Sequence, residues 1–204
     1  MCGIVGYARN RPSAQPIDPL ISALRQMSHR GPDDEGLTLV NREERTAKEF
    51  ATIESASGLS LPLLSAGDRV PHDVALGHRR FSIIDLSTTG HQPLWTIDRK
   101  VCVCVNGELF NHRALREELV GLGWRFKGHS DTEVMALAYR QWGLDCFQRF
   151  NGFWALSLYD ADRNQVLLAR DRLGKAPLYY CNAPDGVYWA SELSVVRQLA
   201  PLDM

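Results

Sequence analysis

Apolar and polar positions change period several times along the chain, and each change predicts an element. Gly3 to Ala8 is a short apolar run at the very start, read as a strand that ties down the N-terminus. Asp18-Pro19 gives a cap and a first-turn proline ahead of Leu20, Leu24 and Met27, whose spacing puts them on one face of a helix over about 19–28. Leu37 to Val40 reads as a strand. From Asn41 to about Asp73 the pattern is lost: a charged run from Arg42 to Lys48 precedes an apolar stretch around Leu59 to Leu64 interrupted by Ser and Pro, and the segment reads as an insertion.

Strand periodicity returns at Ala75 to Asp85 and at Val101 to Val105. Asn111 is placed to cap a helix carrying Leu115, Leu119 and Leu122 and closed by Gly123. Ser130-Asp131-Thr132-Glu133 has the capping-box pattern for a second helix ending before Gly143. Phe153 to Tyr159 and Val166 to Arg170 flank a polar turn and read as a hairpin. Short strands at Leu178 to Cys181 and Val187 to Ala190 and a terminal helix from about Ser191 complete the chain. Helices between strand groups, with hairpins at the end, argue for an α+β layered domain with a largely antiparallel component.

Composition narrows the class. The 204 residues, 45% hydrophobic, suffice for one large domain with a substantial core. Lys+Arg 23 against Asp+Glu 24 gives a net charge of -1, so no global field draws nucleic acid or an anionic membrane. The N-terminus lacks a signal-like segment and no run approaches the roughly 18 apolar residues of a membrane span, so a cytoplasmic protein is expected. The five cysteines, Cys2, Cys102, Cys104, Cys146 and Cys181, include no C-x-x-C pair, and neither a disulfide framework nor a metal site is expected.

Cys2 carries the candidate chemistry. Removal of Met1 would leave a thiol and a free α-amine on one residue, and an α-amino group with a pKa near 8 is a plausible acceptor for the thiol proton. Taken alone, a second-position cysteine is weak evidence and reads more readily as an incidental, small, buried residue. Around it stand Cys2-Gly3-Ile4-Val5-Gly6, Ser28-His29-Arg30-Gly31-Pro32-Asp33, Gly77 to Asp85, Gly90-His91-Gln92-Pro93-Leu94, Asn106-Gly107-Glu108-Leu109-Phe110-Asn111-His112, Gly128 to Glu133, Phe150 to Ala155, Ala169 to Gly174 and Trp189 to Glu192, in that order. This series resembles the class II (N-terminal nucleophile) glutamine amidotransferase domain of the asparagine synthetase type, over nearly the whole of residues 1–204.

The resemblance implies a four-layer αββα sandwich of the N-terminal nucleophile hydrolase type and a glutaminase half-reaction. Cys2 would attack the side-chain amide of glutamine to give a thioester and ammonia, and water would then free glutamate. Asn106, through its side-chain amide, and Gly107, through its N–H, match the family's oxyanion hole. Arg80 matches the carboxylate anchor and Asp131 the ammonium ligand, with Glu108 beside the same end and the backbone of Ile83 and Ile84 completing the pocket. Without the resemblance, Asn106-Gly107 reads as a turn after a strand, Asp131 as a first-turn acid favoured by the helix dipole, and Arg80 as a solvated strand arginine. Neighbouring Arg79 is read in that solvated way. His29, His78, His91, His112 and His129 are read as structural or hydrogen-bonding groups, and Arg30 to Asp33 as a loop beside the nucleophile.

Family members usually have a shorter connection before Gly77-His78, so the 41–73 insertion is read as a lid or a partner-docking element. Gly174-Lys175-Ala176-Pro177 also departs from the usual order of an apolar residue, then Lys, then Pro. No synthetase domain, with its pyrophosphatase loop, follows in the 204 residues. The resemblance therefore implies an ATP-dependent synthetase as a separate subunit or a missing C-terminal domain, with ATP and Mg required only there and no cofactor in this domain. A noncatalytic binding module of the same fold, or an N-terminal nucleophile hydrolase of another amide, are the alternatives.

Overall fold

The computed structural model describes residues 1–65 and 67–201. Ala66, inside the 41–73 segment, and residues 202–204 of the expected 1–204 domain lie outside the described residues. In chain order the elements are β1 (Gly3–Ser13), α1 (Asp18–Gln26), β2 (Asp34–Asn41), β3 (Thr46–Ala51), β4 (His72–Arg80), β5 (Leu94–Trp95), β6 (Val101–Leu109), α2 (His112–Gly121), α3 (Asp131–Trp142), α4 (Cys146–Arg149), β7 (Gly152–Asp160), β8 (Gln165–Arg170), β9 (Tyr179–Ala183), β10 (Gly186–Ala190) and α5 (Leu193–Leu199). Two antiparallel sheets result, ordered β3-β2-β4-β1-β10-β9 and β5-β6-β7-β8.

Three apolar cores separate four layers. Alternate strand residues point to opposite faces. Val5 and Tyr7 of β1, Leu37 and Leu39 of β2 and Ala75 of β4 therefore meet α1 and α5 on one side of the six-stranded sheet. Val101, Val103 and Val105 of β6 meet α2 and α3 on the far side of the four-stranded sheet. The other parity, Ile4, Val74 and Leu76 facing Cys102, Cys104 and Ala155, fills the layer between the sheets. This is the expected αββα sandwich. Among the described residues no helix is long and apolar enough to cross a membrane.

Several local expectations need correction. The strand predicted to reach Asp85 stops at Arg80, and 81–87 is a loop. Asp18 starts α1 without capping it; its carboxylate accepts the Gly67 N–H at 3.0 Å instead. Asn111 also makes no side-chain cap, because its amide joins α2 to the α4–β7 connection through the Arg149 carbonyl (2.9 Å) and the Asn151 N–H (3.0 Å). Only half of the capping box forms at α3: Ser130 accepts the Glu133 N–H at 3.2 Å, while the Glu133 carboxylate accepts the N–H groups of Lys127 and Gly128. The 41–73 segment is partly woven into the sheet. Its charged run turns into β3, which pairs with β2, and Phe50 and Leu64 enter the α1 core.

Candidate functional site

The site sits at one end of the layer between the sheets, where strand parity delivers chemistry instead of apolar packing. Continuing the inward parity of Val74 and Leu76, β4 presents His78 and then Arg80; continuing that of Cys102 and Cys104, β6 presents Asn106. Between these ends lies a cleft enclosing about 630 Å³ of non-atom space, part of it open to solvent. Its lining includes Cys2, Arg80, Ile83, Ile84, Asn106, Gly107, Glu108 and Asp131, all eight of the residues singled out from the sequence. Met1, still in place ahead of Cys2, and Phe153 border it too.

Cys2 lies just before β1, half-buried. Its thiol donates to the Phe81 carbonyl at 3.7 Å and accepts the Phe81 N–H at 3.4 Å. Burial pushes the thiol pKa up, opposed by the Phe81 hydrogen bond, the N-terminal ammonium and Arg80. The resting sulfur is therefore protonated at neutral pH, and attack requires a base. The Cys2 carbonyl is held by Arg30, whose Nε donates to it at 3.0 Å while its Nη1 approaches Glu192 at 3.5 Å.

Asn106 is 0% exposed, and neither its Nδ2 nor its Oδ1 has a hydrogen-bond partner. Most buried side-chain polar atoms are paired, and leaving a group unpaired costs about 1–3 kcal/mol. A buried amide left open on a cleft wall is what a preorganised donor for a developing negative charge requires. Gly107 follows at φ +148°, and a Cβ there would collide with the Phe153 main chain across the β6–β7 ladder.

Arg80 and Asp131 bring opposite charges into the same cleft, whose lining also includes Asp85 and Glu108. Arg80, buried, donates Nη1 to the Ser87 carbonyl at 3.0 Å and Nη2 to the Asp85 carbonyl. Its guanidinium rests on Gly90, where a Cβ would strike it. Asp131 accepts the N–H groups of Leu109 and Thr132, each at 2.9 Å, and among the described residues no Lys or Arg pairs with it. Burial pushes its pKa up against those hydrogen bonds, so a ligand cation there would be favoured by the carboxylate it neutralises. Ile83 and Ile84 lie in the loop, both exposed and both lining the cleft. Glu108 is half-buried at the rim.

The 81–90 loop that carries part of this lining is itself tied down. Asp85 accepts from the N–H and hydroxyl of Ser87, from the Thr89 hydroxyl and from the His129 N–H, and these bonds hold its pKa at about 2 despite the opposing effect of burial. It links the loop to the turn leading into α3, and so Arg80 to Asp131.

Sequence reasoning misplaced Arg79. It is 2% exposed and faces the helix layer, pairing with Glu35 at 2.7 Å and Glu54 at 2.6 Å and donating Nε to the Gly31 carbonyl at 2.9 Å. Period 2 could have shown it, since adjacent strand residues cannot share a face and Arg80 belongs to the other. Gln92 was missed as well: it lines the cleft, accepts the Val105 N–H at 2.7 Å and donates to Thr132 at 3.2 Å, joining the strand of Asn106 to the helix of Asp131. Its place in Gly90-His91-Gln92 was the available signal. Of the five motif histidines, His29, His78, His91 and His112 make side-chain hydrogen bonds. His91 pairs with Asp34 at 2.7 Å, and buried His78, pushed down to about 4 by desolvation, meets the Val105 carbonyl at 2.9 Å. Lys175, in the segment with unusual order, lies over the Phe153 ring at 5.1 Å. Among the described residues no group of three or more His, Cys, Asp or Glu is placed to hold a metal ion.

A family model described as a glutamine amidotransferase domain matches residues 65–203. The chain is 34% identical to the glutamine-hydrolysing asparagine synthetase 1 of Bacillus subtilis over 94% of its own length and 26% of that protein's. It is 32% identical to a probable glutamine-hydrolysing asparagine synthetase of Schizosaccharomyces pombe, over 97% of the chain and 30% of the relative. It thus spans between a quarter and a third of the curated relatives it matches. Among solved structures, the glutamine phosphoribosylpyrophosphate amidotransferase from B. subtilis has the same fold, with TM-score 0.72 and 22% identity over 97% of this chain and 43% of that one.

Proposed function

The chain belongs to the glutamine amidotransferase domain family, and from that premise we propose how its own residues hydrolyse the side-chain amide of glutamine. The observation that carries the proposal is the unpartnered, fully buried Asn106 amide in the same cleft as the Cys2 thiol. Once Met1 is removed, the α-amine of Cys2 takes the thiol proton and the sulfur attacks the amide carbon. The carbonyl oxygen becomes an oxyanion facing the Asn106 Nδ2 and the Gly107 N–H. The tetrahedral adduct collapses, the proton passes to the departing nitrogen, and ammonia leaves behind a thioester. Water, deprotonated by the same amine, attacks the thioester and releases glutamate with the thiol restored.

Specificity follows from the charged groups of the cleft. Arg80 holds the α-carboxylate and Asp131 the α-ammonium, with Glu108 and the Ile83–Ile84 backbone beside them, so the reacting amide is the only free end of glutamine. The ammonia is passed to an ATP-dependent synthetase, as a subunit or a C-terminal domain, and ATP and Mg act there. The longer relatives, glutamine-hydrolysing asparagine synthetases by name, support this reading.

The test is stoichiometric. Protein with its N-terminus verified as Cys2 by intact mass should form glutamate and ammonia one for one, and protein retaining Met1 should not. Equal turnover by the two forms would require a different base. A noncatalytic module would bind glutamine without turnover, and a hydrolase of another amide would leave glutamine intact while consuming its own substrate.

A further inference from the structure

Arg79 does not line the cleft, yet it stands at the centre of the structure around the nucleophile. On β4 it is register partner to Gly3 of β1 on one side and to Glu35 of β2 on the other. Its Nε holds the Gly31 carbonyl at 2.9 Å. Gly31 lies so flat on the Arg79–Arg80 peptide that no Cβ fits between them. The residue before it is Arg30, which grips the Cys2 carbonyl.

Two carboxylates hold Arg79 in turn. Glu35 is buried, and its second oxygen accepts the Thr52 hydroxyl at 2.5 Å. Glu54, 36% exposed in its side chain, lies in the loop after β3, where its second oxygen faces Arg25 of α1 at 3.7 Å. A buried ion pair is poor evidence of stabilisation, because desolvation offsets most of the attraction; fixed geometry is the better-founded use.

We propose that Arg79 is a positioning residue for the nucleophile, clamped by Glu35 and Glu54, and that the 41–73 segment takes part in catalysis through Thr52 and Glu54. The clamp fixes the Gly31 turn, the turn fixes Arg30, and Arg30 fixes the Cys2 main chain so that the sulfur stays 3.4 Å from the Phe81 N–H. This rests on the reading of Cys2 as nucleophile. The Arg80 and Asp131 side chains bond to neither Glu35 nor Glu54, so loosening the clamp is expected to act on the attacking atom more than on glutamine binding.

Glu54 is the position to test, since its exposure allows truncation without an empty core. In Glu54→Ala, kcat for glutamine hydrolysis is expected to fall about five- to tenfold with KM within twofold, as for a sub-ångström displacement of a reacting group. Glu54→Gln, which keeps the volume and one hydrogen bond, should lose less, and Glu54→Asp should recover part of the rate. Glu43→Gln, on the exposed hairpin turn of the same segment, should match wild type. Alkylation by iodoacetamide, followed at the Cys2 peptide by mass spectrometry, should slow by a similar factor in Glu54→Ala, with half-buried Cys181 as an unchanged internal reference.

Wild-type kcat and alkylation rates in Glu54→Ala and Glu54→Gln would overturn the proposal, as would a rise in KM alone. If wild-type protein hydrolysed no glutamine but Cys2 alkylation still depended on Glu54, the glutaminase reading would fail and the clamp would stand. Glutamine turnover indifferent to Glu54 would give the reverse.

Discussion

On the six-stranded side of the cleft Arg30, Arg79 and Arg80 each have at least one protein partner, whereas on the four-stranded side the buried Asn106 amide has none. Arg30, Arg79 and Arg80 are spent on main-chain carbonyls and carboxylates, and Asp33 holds the Ser82 N–H at 2.7 Å. The first side holds a nucleophile and an anchor in place. The second leaves the hydrogen-bonding capacity of the Asn106 amide unclaimed by protein groups, where a charge developing during the reaction can use it. The held nucleophile and carboxylate anchor thus lie on one sheet and the open amide on the other.

The largest test of this division removes the attacking atom. Cys2→Ala is expected to lower glutamine hydrolysis by at least about 10⁴-fold, in line with loss of a nucleophile elsewhere, with the fold intact because β1 is untouched. Circular dichroism and a steady-state ammonia assay check both halves. Substantial residual turnover in pure protein would remove Cys2 from the mechanism.

Next in size is the open side. Asn106→Ala should cost about two to three decades in kcat with little change in KM, the signature of a donor used only in the transition state. Arg80→Lys and Asp131→Asn should do the opposite, raising KM by about one to two decades through loss of a charge-assisted bond worth about 1.5–3 kcal/mol. Finding turnover lost at Arg80 and binding lost at Asn106 would exchange the two sides.

These roles show where the sequence was legible. Strand and helix existence followed from periodicity because most elements bury one clean face, and the eight site residues came from motif resemblance because each motif meets the cleft through main chain and side chain together. Arg79 was misread because local charge suggested solvent, while burial there depends on Glu35 and Glu54, separated from it by 44 and 25 residues. β3 was missed for a related reason. An edge strand with alternating exposure, reading Thr-Ala-Lys-Glu-Phe-Ala, carries only a weak apolar signal, and its pairing with β2 is a tertiary fact. Asp18 and Asn111 were given helix caps by local rules, but more distant backbone groups claimed their side chains.

A smaller effect comes from pH. Burial raises the Cys2 thiol, so the sulfur carries its proton through the neutral range and the rate follows the fraction of α-amine that is free. With an α-amino pKa of about 8, kcat/KM should fall roughly tenfold for each unit below that value and level off above it. Acetylation of the Cys2 amine should abolish the dependence together with the activity. A profile flat from about pH 6 to 8 would mean that another group accepts the proton.

The smallest expected effect bears most directly on the contrast between the sheets, because it concerns stability and not rate. Truncating an ordinary buried, hydrogen-bonded asparagine costs about 1–3 kcal/mol, since a partner is left unpaired. At Asn106 no protein partner is lost, and the space vacated opens onto the cleft instead of forming a sealed cavity. Asn106→Ala should therefore leave the unfolding free energy unchanged or raise it by up to about 1 kcal/mol, by relieving a buried amide of its desolvation cost. Urea denaturation reads this as an equal or higher midpoint at constant m. A destabilisation above about 1 kcal/mol would show that the amide is satisfied in the resting enzyme. In that case the open side of the cleft is no more vacant than the held side, and the donor must be released before it can meet an oxyanion.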